Sequence, residues 1–171
     1  MINWRLMNNL TSPLTSALLI GLGATITLDL WTFFFKHAFK ITPSNYCLVG
    51  RWLQGMPEGI FMHSNITTST QKNGECTVGW IAHYTVGILF AMAFVALAGS
   101  GWLQHPRLLP AVFFGVVTVL VPFFIMQPAL GLGFAASGIS NPGRARLRSL
   151  MSHAVFGIGL YLSGLLVCGL F

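Results

Sequence analysis

Apolar residues gather into four long runs, separated by segments rich in glycine, proline and polar side chains. The runs cover residues 14–35, 79–98, 108–130 and 149–170. Each has about the 20 residues that a helix needs to cross hydrocarbon at roughly 1.5 Å per residue. Because lipid offers the backbone no hydrogen bonds, these runs predict an all-α, polytopic membrane four-helix bundle, a single integral membrane domain over 1–171. Pro43 and Ser44 open a predicted short interfacial helix through Tyr46, Leu48, Val49, Trp52 and Leu53, stopping near Gly55 and Pro57. Ser64 to Gly74 reads as turns. In the third run, Pro122 and Pro128 each remove an N–H and displace the carbonyl four residues earlier, those of Thr118 and Phe124, so a kinked helix is expected.

Each run carries one polar residue of a type rarely left in lipid: Asp29, His83, Gln127 and His153. An Asp at a helix centre costs about 2.5–3.5 kcal/mol on insertion scales, so such groups face a bundle interior and mark a site. Asp29 is seven positions before Lys36, about 10 Å inside the interface at the helical rise. His83 is three past Trp80 and His153 five past Arg148, roughly 5–8 Å inside by the same rise, and Gln127 lies near the inner end of its helix. The four are expected to meet in one layer and bind a proton, ion or small solute. Asp29 would titrate, His83 and His153 would be hydrogen-bonding partners, and Gln127 with the proline-freed carbonyls would orient the ligand. Arg51 either folds back onto Asp29 or serves only as a topology signal. The bland reading of each residue is an interhelical hydrogen bond. His37, His63 and His105 are expected to be solvated, and no metal site is expected.

Composition narrows the classes. Charged residues are 7% of the 171, against about 25% in soluble domains, and mean hydropathy is +0.74. The net charge of +6 accompanies no basic stripe with interleaved aromatics, so nucleic acid is excluded as a partner, and membrane lipids take its place. Loops one and three hold seven of the nine Lys and Arg; Arg5 and Arg107 lie on the other side. The positive-inside bias therefore predicts loops one and three in the cytoplasm and both termini periplasmic. Residues 14–35 are too long for a signal h-region and are read as an uncleaved span. Cys47, Cys76 and Cys168 form no C-x-x-C pair, and in a cytoplasmic loop Cys47 and Cys76 are expected as free thiols. Ala17-x-x-x-Gly21, Gly159-x-x-x-Ser163 and Gly164-x-x-x-Cys168 suit close helix packing. Asn9-Leu-Thr11 and Asn65-Ile-Thr67 match the weak N-glycosylation pattern.

Val49-Gly50-Arg51-Trp52, Gly59-x-Phe61-x-His63, Gly79-Trp80-x-x-His83-Tyr84, Pro122-Phe123-Phe124-x-Met126-Gln127-Pro128 and Ser152-His153-x-x-Phe156-Gly157 stand together in this chain. In combination they resemble a family of small bacterial inner-membrane proteins catalogued only as a domain of unknown function. The resemblance runs from Gly21 to Tyr161 and implies a bacterial four-helix membrane protein, but no activity. Three function classes follow from the residues. The leading one is a non-enzymatic protein that binds or transports at the polar layer without a cofactor, as a homodimer if a lumen is needed. The alternative is redox, with His83 and His153 as axial ligands of a haem b. The third is an accessory or assembly subunit of a larger membrane complex. No H-E-x-x-H, G-x-S-x-G or close carboxylate pair is present, so an enzyme is the weakest case.

Overall fold

Lys40 takes a left-handed φ of 56°, which ends the first helix, Pro13–Phe39, and Ile41 N–H reaches back to the Phe35 carbonyl at 3.5 Å. The computed structural model describes residues 13–170; Arg5 and Asn9-Leu-Thr11 lie outside them. Among the described residues the chain is all-helical, with four helices long and apolar enough to cross a membrane. The first span is followed by the second, Glu75–Ala98, the third, Leu108–Ala129, and the fourth, Pro142–Leu170. Hydropathy measures hydrocarbon thickness, whereas these helices run on into polar ground. The second therefore begins one turn before residue 79, and the fourth begins seven residues before 149, taking Arg144, Arg146 and Arg148 into helix.

The fourth helix is the hub, packing on the first and third, while the first also packs on the second. In its most apolar window 44% is buried, against 22% in each of the other three, whose remaining faces are left for lipid. Backbones approach closely where a side chain is missing. A Cβ on Gly21 would stand 2.7 Å from Ile88 Cα, one on Gly159 2.8 Å from Ala24 Cα, and one on Gly157 2.6 Å from Val112 Cα. Ile20, Ala24, Ala91, Phe94, Phe156 and Leu160 fill the space between.

The third span is α-helical over Leu108–Val117 and passes through a π-helical turn at Pro122–Met126 before resuming at Gln127–Ala129. This is the expected irregularity, and the π-turn absorbs the prolines. The Thr118 carbonyl, expected to be freed by Pro122, accepts from Val121 N–H at 3.1 Å instead.

Loop one forms a cap over this end of the bundle. Its helix, Tyr46–Gly55, starts where Asn45 accepts from Cys47 N–H at 3.1 Å, and it matches the predicted interfacial helix. It crosses the second span at a glycine pair: a Cβ on Gly50 would enter the Glu75 carbonyl oxygen, and one on Gly79 the Tyr46 carbonyl oxygen. This crossing corrects the cysteine expectation. Cys47 and Cys76 are not free thiols but a disulfide, their Cα atoms 3.9 Å apart, because the glycines let the two helix starts meet. Loop one then docks on the end of the third span through His63 N–H to the Ala129 carbonyl (2.8 Å) and Ile66 N–H to the Leu130 carbonyl (3.1 Å). His63 is accordingly not solvated: it is half-buried, and its Nδ1 lies 3.0 Å from Ser69 Oγ.

Candidate functional site

Gly21, Thr25 and Asp29 recur every four residues and so form one stripe of the first span. Gly21 meets the backbone of Ile88, and a Cβ on Gly87 would run into Thr25 Oγ1. Two turns of this close contact carry Asp29 to His83. Asp29 Oδ1 lies 3.0 Å from His83 Nε2, and Tyr84 O–H donates to Oδ2 at 2.9 Å. With Asp29 ionised, the hydrogen of the first bond sits on Nε2. Tyr46, at the start of the cap helix, stacks on the His83 ring at 4.1 Å and 23°, and Trp80 meets Tyr46 edge-on at 5.0 Å. Burial and the nearby Asp29 and Tyr84 push the Tyr46 phenol above its ordinary pKa, so it stays protonated. The Asp29 side chain is 23% exposed and that of His83 10%, so the carboxylate is held inside the protein yet remains reachable.

Arg51, placed with the site on the reading that it folds back onto Asp29, with a topology signal as the other reading, lies elsewhere, and that pairing is corrected. Its guanidinium grips Glu75 with two bonds, Nε to Oε2 at 2.7 Å and Nη2 to Oε1 at 2.8 Å. Nη1 donates to the Ile66 and Ser69 carbonyls at 3.0 and 2.9 Å, and Lys72 N–H donates to Glu75 Oε2 at 2.9 Å. Glu75 holds the guanidinium's pKa above its usual value. The physical reason is reach: Glu75 begins the helix that the cap crosses, whereas Asp29 is already bonded by the second span.

His153 and Gln127 belong to a different helix pair. Thr118 O–H donates to the Gly115 carbonyl at 2.5 Å, which leaves its oxygen to accept from His153 Nδ1–H at 2.7 Å. Gln127 Nε2 reaches Ser149 Oγ at 3.5 Å, and its buried Oε1 has no partner among the described residues. The expected single layer is thus divided. Asp29 and His83 meet directly, His153 bonds within the third and fourth spans, Gln127 sits at the π-turn, and Arg51 is in the cap. The nitrogen that His83 would offer a haem is the one bonded to Asp29. Among the described residues no three His, Cys, Asp or Glu side chains form a metal-holding group.

Three participants were not singled out from the sequence. Tyr84 adjoins His83 in the chain, but its phenol is aimed at Asp29 only by the crossing of the first two spans. Tyr46 needed the disulfide-linked cap helix, and Glu75 lay beyond the apolar run.

The family described as protein of unknown function (DUF2938) matches residues 18–167, and the chain belongs to it. No curated protein and no solved structure matches the chain.

Proposed function

Since membership in that family supplies no activity, the reading comes from the site, and we propose that this multi-pass membrane protein takes up and releases a proton at the Asp29–His83–Tyr84 cluster. One observation carries it: a carboxylate inside an apolar span, 23% exposed, whose side-chain partners among the described residues are an imidazole and a phenol rather than a lysine or arginine. A carboxylate meant to stay charged at such depth needs a fixed cation, and Asp29 has an imidazole instead. The pair shares one proton between Oδ1 and Nε2 and gains a second by forming imidazolium or a carboxylic acid. Tyr84 holds the second oxygen, and Tyr46 covers the outer face of the imidazole. Proton exchange through this pair makes the protein a carrier or sensor of protons, alone or coupled to a solute.

The test is reconstitution in lipid vesicles loaded with a pH-sensitive dye. Vesicles holding the wild-type protein are expected to dissipate an imposed pH gradient faster than those holding Asp29→Asn. Equal rates for both, together with a carboxyl infrared titration unchanged by the substitution, would remove the reading.

A further inference from the structure

The disulfide and the Tyr46–His83 stack are two parts of one helix crossing. Cys47 follows Tyr46 at the start of the cap helix, and Cys76 precedes His83 by two turns of the second span. The S–S bond therefore ties together the two backbones that carry the stacked rings. Cys76 is exposed and Cys47 half-buried, so a sulfur of the bond is open to attack. The loop also has ties that do not need the bond: Arg51 on Glu75, Trp52 Nε1–H to the Phe61 carbonyl at 2.8 Å, and Gln54 Nε2–H to the Asn73 carbonyl at 3.0 Å. Opening the disulfide leaves the cap folded and the two sulfurs close enough to rejoin. The lysines and arginines are concentrated in loops one and three, the pattern of a cytoplasmic face, where dithiols keep cysteines reduced.

We propose that Cys47–Cys76 is a thiol–disulfide exchange site for a dithiol reductant, and that its oxidation state sets how firmly Tyr46 is seated on His83. A reductant thiolate attacks Cys76 Sγ, the S–S bond breaks, and Cys47 leaves as a thiolate that takes a proton. The reductant's second thiolate then displaces Cys76 from the mixed disulfide, and Cys76 takes a second proton. The reductant departs as its own disulfide, and the protein has gained two electrons and two protons. Reduced, the cap start loses its covalent tie and keeps the glycine crossing and the ring contacts of Tyr46, so Tyr46 moves more freely and the His83 ring is less covered. Its bearing on proton exchange rests on the function proposed above; the exchange and the stack do not.

The experiment uses the full chain in detergent micelles with Cys168→Ser, which removes the remaining described thiol. Dithiothreitol is added without denaturant, thiols are trapped with a maleimide and weighed, and the His83 ring protons are followed by NMR. Two maleimides per chain are expected while the helical signal stays intact, with loss of the upfield ring-current shift that Tyr46 imposes on His83. Cys47→Ser with Cys76→Ser should show the reduced spectrum whether or not dithiothreitol is present. A bond that opens only when the protein unfolds, or a His83 signal unmoved by its opening, overturns the proposal. A wild-type protein that moves no protons yet shows both changes rejects the proton reading and leaves this one standing.

Discussion

Glu75 and Asp29 are two carboxylates at the same end of the bundle, and the protein treats them in opposite ways. Glu75 receives a full positive charge from Arg51, two parallel bonds and a backbone N–H, and the pair is nearly sealed, with 5% and 10% of the side chains exposed. Asp29 receives one phenol and one imidazole and is more than twice as exposed as Glu75, at 23%. A buried pair of this kind strongly resists the loss of either partner, although it adds little over an apolar replacement of both. The contrast separates an ion pair that fixes loop one in place from a carboxylate held by a phenol and an imidazole.

The largest effect is expected where the closed pair is broken. Arg51→Ala leaves Glu75 buried without its cation and should cost about 3–5 kcal/mol. Thermal unfolding in detergent and protease cleavage within residues 56–74 report it, and an unchanged midpoint would mean that the two carboxylates differ less than their geometry says. Next comes the crossing that brings the cap to the open cluster. Gly79→Ala drives a Cβ into the Tyr46 carbonyl, an overpacking cost of about 1–3 kcal/mol. It should also abolish the Tyr46 ring-current shift on His83; retention of that shift would show that the stack does not depend on the crossing. The smallest change is Tyr84→Phe, which deletes one donor to Asp29 at about 0.5–1.5 kcal/mol. The fold should survive while the carboxylate stretching band of Asp29 shifts in the infrared spectrum, because one of its oxygens has lost a hydrogen bond. An unaltered carboxylate band in this variant would count against Tyr84 as a partner.

Much of the architecture was legible because it rests on short-range rules. Four apolar runs of membrane length give the spans, Pro122 and Pro128 give the break in the third, and an amphipathic stretch after Pro43 gives the cap helix. The Asp29–His83 contact was half visible, since equal depth on two helices is readable from spacing. What depth cannot supply is azimuth. His83 and His153 were expected in one layer with Asp29 and Gln127, yet each side chain follows the glycine contacts of its own helix, Gly87 on Thr25 for one and Gly115 on Gly157 for the other. The Arg51–Glu75 pair and the disulfide were unreadable for one cause: both depend on loop one folding back across the start of the second span. Tolerance of that crossing comes from Gly50 and Gly79, whose missing side chains carry no periodic signal.

The hydrogen bonds from His63 and Ile66 to the carbonyls of Ala129 and Leu130 impose an order on biosynthesis. The ribosome finishes loop one more than fifty residues before it makes those acceptors. The loop must wait, only partly closed, while two further helices enter the bilayer, whereas Cys47 and Cys76 can meet as soon as the second begins. Assembly of this end of the molecule is therefore completed from the outside inward in sequence, with the covalent stitch available first and the final seal last.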